Sequence, residues 1–200
     1  MATRRRHDHD AGGDPDVLVA KAALRDEVWS RLETDGVRRF PGPRNRISNF
    51  VGAEAAAERL RGTDAWRRAV TVKANPDSPQ WPVRQRALED GKVVYMAVPR
   101  LAEPDPFFLL DPDHLADTPR RASSIAGAGR SARTVMIDNL DPVDLVVTGC
   151  VAVGRDGARL GKGDDPRNGA RHRCRPDHHP RRHHRGRACD SASRRPDPVG

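Results

Sequence analysis

Lysine is nearly missing from this basic chain. Of its 36 basic residues only Lys21, Lys73, Lys92 and Lys162 are lysines, although the formal net charge is +8. Arginine, alanine, glycine and proline codons are all GC-rich, so the imbalance reads as coding bias rather than as a surface selected for nucleic acid, and basicity alone identifies no partner. Aromatic residues are scarce at 4%, and hydrophobic residues reach only 36%. A 200-residue chain so composed supports one modest core with room for a tail. Cysteine is scarce too: Cys150, Cys174 and Cys189 are odd in number and lack any recognisable spacing, so they suggest neither a disulfide framework nor a zinc site and fit a reducing cytoplasm. No apolar run approaches the roughly 20 residues of a membrane span. The opening MATRRRHDHDAGGDPD has no hydrophobic segment of a secretion signal, so no membrane association is expected.

What is present centres on Asp144 to Gly163, DLVVTGCVAVGRDGARLGKG. Leu145, Val146, Val147, Val151 and Val153 form a near-continuous aliphatic run, the pattern of a strand buried on both faces of a parallel sheet. Arg155, Asp156 and Gly157 supply turn chemistry. Arg159 then brings a fixed cationic fork, Lys162 a mobile charge, and Gly161 and Gly163 allow backbone N–H groups to approach an anion. A Gly-Lys-Gly tripeptide is also compatible with an ordinary exposed turn.

Upstream, Asp14-Pro15 predicts a helix start, with Asp as N-cap and Pro in the first turn. The helix should run to about Leu32 on an apolar stripe of Val17, Ala20, Leu24, Val28 and Leu32, with Asp35-Gly36 as its stop. Lys21 and Arg25 stand one turn apart on it; they either reach separately into water or hold an anion between them. A proline-rich loop, FPGPRNRISN, carries Arg44 and Arg46. An alanine-rich helix over Val51 to Leu60 follows, with Glu54 in its first turn as a capping charge or a ligand contact. AVTVKA at Ala69 to Ala74, a helix from Pro82 to Leu88 and KVVYMAV at Lys92 to Val98 predict a βαβ unit with parallel strands. Short strands are expected at Phe107 to Leu110 and Thr134 to Ile137, and Asp111 to Arg133 shows no pattern. Alternating strands and helices predict an α/β layered domain.

In this order, KAALRDEVW, RISNFVGAEAAAERL, VKANPDSPQWPVRQRALEDGKVVYMAVPRL, FFLLDP and VDLVVTGCVAVGRDGARLGKG resemble a divergent branch of the 5-formyltetrahydrofolate cyclo-ligases, or methenyltetrahydrofolate synthetases. The resemblance covers roughly Lys21 to Gly163. It implies helix/sheet/helix layers around a mostly parallel sheet, as in the NagB/RpiA/CoA-transferase-like fold, incomplete at the C-terminus. It also implies conversion of 5-formyltetrahydrofolate, or a related pterin, to the 5,10-methenyl compound with ATP and Mg2+. In that chemistry the formyl oxygen attacks the γ-phosphate, N10 closes on the activated carbon and phosphate leaves. By resemblance Lys21, Arg25, Arg159, Gly161, Lys162 and Gly163 hold the ATP phosphates, with Arg159 also the catalytic cation. Glu54 and Asp77 are the substrate contacts, Asp77 standing where the family usually has a glutamate. No metal ligand of the protein's own is implied.

The family continues after this loop with more glycine, tyrosine and aspartate, whereas here Asp164, Asp165, Pro166, Arg167 and Asn168 follow. From Asp164 to Gly200 the only aliphatic residue larger than alanine is Val199. Such a segment buries too little apolar surface to order itself, so residues 164–200, like residues 1–13, are expected to be a disordered tail flanking a domain at 14–163. Three readings of the later tail stand open: a nucleic-acid-binding arm, a weak metal site at His178-His179 and His183-His184, or a segment translated out of frame. Shifted by one base, codons for DHHPRRHHR at Asp177 to Arg185 permit T-T-I-L-V-V-T-T-V, a strand sequence. Three functions follow: an ATP-dependent cyclo-ligase, an inactive relative with weak nucleotide binding, and a basic-tailed nucleic-acid binder lacking aromatics for base stacking.

Overall fold

The structure is a computed structural model that describes residues 14–98 and 105–163. The expectations for 1–13 and 164–200 lie outside the described residues. Helix α1 runs Pro15–Thr34 and opens as the sequence predicts, with the Asp14 carboxylate accepting from Asp16 N–H. Helices α2 (Ala53–Arg61) and α3 (Asp64–Arg68) precede β1 (Thr71–Ala74), a 3-10 turn at Ser78–Gln80, α4 (Trp81–Glu89) and β2 (Val93–Ala97). Then come β3 (Phe107–Leu110), α5 (Pro119–Ala122), α6 (Ile125–Ser131), β4 (Arg133–Val135), β5 (Leu145–Val147) and a hairpin of β6 (Ala152–Val153) and β7 (Arg159–Leu160).

The main sheet has the order β4-β3-β2-β1-β5. β1 pairs in parallel with β2 and β5, with Lys73 opposite both Tyr95 and Val146, whereas β3 and β4 are antiparallel additions. The chain is therefore an α/β domain built on the expected βαβ unit. One sheet face, carrying Val72, Val94, Met96 and Leu110, packs on Ala57, Trp66, Val83, Ala87, Leu88, Ala122 and Ala128 from α2 to α6. Small helical residues let these short helices sit close to the sheet. Trp66 fills the largest gap, donating its indole N–H to Asp90 at 2.8 Å, and Arg61 pairs with the same carboxylate.

Three expectations are corrected. The α1 stripe is not a core stripe: Val17 and Leu24 are 45% and 44% exposed, Ala20 is exposed, and Val28 and Leu32 are half-buried. Trp29 is the only buried residue of the helix, because no described strand or helix packs extensively against its first turns. The aliphatic run after Asp144 is not one doubly buried strand either. β5 is three residues long and lies at a sheet edge with Val146 57% exposed, and the chain turns at Thr148-Gly149 into the small hairpin. Lastly, Asp111 to Arg133 contains α5 and α6, too short to show periodicity, although Ser124 caps α6 by accepting from Gly127 N–H at 2.9 Å.

Candidate functional site

Parallel strands put their following loops at one end of a sheet. Here β1 exits toward β2 through α4 on one side, while β5 lies on its other side, so the loops after β1 and β5 part company at their carboxyl ends. A divergence of this kind leaves a crevice, where open α/β sheets accept ligands. Asn75 to Gln80 follows β1 and Thr148 to Gly163 follows β5, and the two stretches approach each other at Gln80 and Gly149 and at Asp77 and Lys162.

The glycine loop and the first helix meet at this crevice. Arg25 Nε donates to the Gly161 carbonyl oxygen at 2.8 Å across 136 residues of sequence. Gly163, at φ +87°, turns beneath that guanidinium, and a Cβ there would lie 3.2 Å from Arg25 Cζ. Only glycine adopts that backbone without strain while leaving the cation its place. Among the described residues, Gly161, Lys162 and Gly163 donate no backbone hydrogen bond to a backbone carbonyl. Their N–H groups, a half-buried Arg25 and the exposed Lys162 make an arrangement suited to an anion. Lys21 stands exposed one helical turn before Arg25. Arg159 donates to the Thr148 hydroxyl and so is tied to the end of β5.

Asp77 faces the loop from the opposite wall. Burial pushes its carboxyl above the usual carboxylate range, and the opposing pulls come from the Lys162 charge, an Asn75 side-chain hydrogen bond and the Arg84 charge. Asn75 in turn accepts from Lys73 Nζ at 2.6 Å. Glu54 is exposed in the first turn of α2, a helix that packs against the 3-10 turn after Asp77.

Arg84 and Gln80 join these residues, though neither is among the candidates expected from the sequence. Arg84 is 1% exposed and donates to the carbonyls of Ser123 at 2.9 Å, Asn75 at 2.5 Å and Asp77 at 3.2 Å. Burial lowers its pKa to about 10, with the Asp77 charge opposing that fall. Its role is to fix the loop that carries Asp77. Gln80, 4% exposed, closes the same loop by accepting from Asn75 N–H at 2.8 Å.

The chemistry available is that of a cationic, glycine-lined site with one carboxylate opposite, raised above its usual range by burial. Among the described residues no three metal-binding side chains cluster. No helix among the described residues is long and apolar enough to cross a membrane.

The family model for 5-formyltetrahydrofolate cyclo-ligases matches residues 17–165, which takes in α1, the sheet and the glycine loop. The chain belongs to the 5-formyltetrahydrofolate cyclo-ligase family. It is 36% identical over 154 residues to a methenyltetrahydrofolate synthase domain-containing protein of Bos taurus, covering 76% of this chain and 40% of that protein. The Mus musculus protein of the same name is 37% identical over 149 residues, 73% of this chain and 40% of its own length. The Homo sapiens protein is 33% identical over 151 residues, 74% and 39% respectively. The chain thus spans about 40% of the length of these relatives.

Proposed function

We propose that this domain binds ATP in the cleft between α1 and the glycine loop and uses it to close 5-formyltetrahydrofolate, or a related pterin, to its 5,10-methenyl form. The observation that supports the reading is the Arg25–Gly161 hydrogen bond, which joins two cationic segments far apart in sequence at the carboxyl end of the sheet. In this reading Lys21, Arg25, Lys162 and the N–H groups of Gly161 and Gly163 hold the phosphates. Arg159 leaves Thr148 to neutralise charge on the phosphoryl group as the formyl oxygen attacks it. Such transfer depends on position and positive charge more than on covalent help from the protein. Mg2+ would arrive with the nucleotide and shield its phosphates. Asp77, and Glu54 beside its loop, face the pterin.

A second reading, an inactive relative that binds nucleotide weakly, is favoured by one specific feature. Asp164 to Asn168 stand where the family has the glycine, tyrosine and aspartate that complete the loop.

The test is incubation with 5-formyltetrahydrofolate and Mg-ATP, following the methenyl chromophore. Product is expected, with Arg25→Ala at least about tenfold slower for loss of one charge-assisted contact. Nucleotide binding without product selects the second reading, and absence of both removes the site.

A further inference from the structure

Buried side-chain donors are almost always paired, and an exception calls for a reason. Two exist among the described residues, Trp29 Nε1 and Gln80 Nε2. Gln80 lies at the candidate cleft. Its orientation is not free: Asn75 N–H can only donate, so the amide oxygen must face it, and the NH2 group is turned away. What it meets is the turn after β5. A Cβ on Gly149 would lie 3.0 Å from Gln80 Nε2 and 2.7 Å from Ile47 Cγ2. The side chain nearest to that glycine is the aliphatic Ile47, and among the described residues the Gln80 NH2 group has no hydrogen-bond partner.

We infer that Gln80 is a ligand-reading residue of this cleft, its NH2 group held in reserve for an acceptor oxygen of a bound substrate. The inference rests on the reading of the site given above. The amide is covered by the Thr148-Gly149 turn, and that turn is tied down by Arg159 through the Thr148 hydroxyl. An anion that draws Arg159 away releases Thr148, and a turn without a side chain at Gly149 lifts without dragging bulk across the amide. Binding of one ligand thereby opens the donor to an oxygen, supplied either by the nucleotide phosphates or by the formyl pterin.

The full chain is titrated calorimetrically with Mg-ATP alone and with 5-formyltetrahydrofolate alone, as wild type, Gln80→Glu and Gln80→Met. Gln80→Glu keeps the acceptor for Asn75 N–H but loses the donor; Gln80→Met is neutral and of similar length. The expected result is a loss of about tenfold in affinity for one ligand, with the other within twofold, in both variants. The ligand affected identifies the oxygen. A wild-type measurement stands beside these, in case either variant unfolds: the Gln80 side-chain NH2 resonance should shift on saturation with that ligand. Wild-type affinity in the folded variants, or an unmoved resonance, overturns the inference and leaves the site reading intact. Failure of wild type to bind either ligand overturns both.

Discussion

The two sides of β1 are built to different standards. Toward β2, the strands, α4 and the short helices enclose Val72, Val94, Met96 and Ala87, none of which exposes any surface. Toward β5, the sheet ends in three residues, Val146 faces solvent, and α1 leaves Val17, Leu18, Val19 and Leu24 between 44% and 68% exposed. The cationic and glycine residues of the cleft fall on this second side. The lesson is that stability and chemistry draw on separate stretches of this chain, so substitutions should divide the same way. Among the described residues β5 has no partner on its outer side, and such an edge beside exposed apolar helix surface favours association in solution.

The largest break in the comparison is expected from Trp66→Ala. It empties the biggest buried site and removes the indole donor to Asp90, with an expected loss of about 3 to 5 kcal/mol in denaturant unfolding. Val19→Ser on α1 should change the same measurement by under about 0.5 kcal/mol. Equal effects would mean that α1 is packed as firmly as the core.

The seam between the two sides carries the next effect, and it is pH-dependent. Asp144 accepts from Thr71 N–H at 2.9 Å, Val70 N–H at 2.8 Å and the Thr71 hydroxyl at 3.0 Å. Those bonds hold its carboxyl below the ordinary range, Thr71 N–H contributing most. A depressed carboxylate contributes stability that is present above its unfolded pKa, about 4, and is lost as pH falls through the lower folded value. Unfolding measured from pH 5 to 2 should therefore steepen in wild type and flatten in Asp144→Asn. An unchanged slope would show that β5 is joined to β1 by its ladder alone.

How far the sequence carried varies with the physics of each element. Asp14-Pro15 and the AVTVKA/KVVYMAV pair are local signals, a cap and two aliphatic runs, and local signals survive folding. The fate of Val17, Leu24 and Val146 depends on what lies over them, and no pattern within α1 or β5 encodes a cover. Arg84 was legible in principle: it sits three and four residues before Ala87 and Leu88, on the buried stripe of α4, and an arginine there demands acceptors. The α3 start was legible too, since Thr63 accepts from Trp66 N–H. Gln80 was not, because its significance is an unmade hydrogen bond, and only coordinates reveal that. Lys21, Arg25 and the glycine loop were ambiguous by residue chemistry, which allowed either an anion site or an exposed face, and family resemblance chose the phosphates; the Arg25 contact came from tertiary structure.

The smallest expected effect on stability is also the sharpest on the cleft. Gly157 and Gly163 both have left-handed backbones, at φ +85° and +87°. Alanine at either incurs a similar backbone penalty, on the order of 1 kcal/mol. Their surroundings differ: a Cβ on Gly157 meets nothing within 4 Å, whereas one on Gly163 presses on the Arg25 guanidinium at 3.2 Å. Subtracting the Gly157→Ala result from that of Gly163→Ala cancels the strain and leaves the contact. If Arg25 serves phosphate, Gly163→Ala should weaken Mg-ATP binding several-fold with the two proteins equally stable, while Gly157→Ala binds as wild type. Equal affinities would detach Arg25 from the ligand and leave its bond to Gly161 as a strap that only holds α1 to the loop.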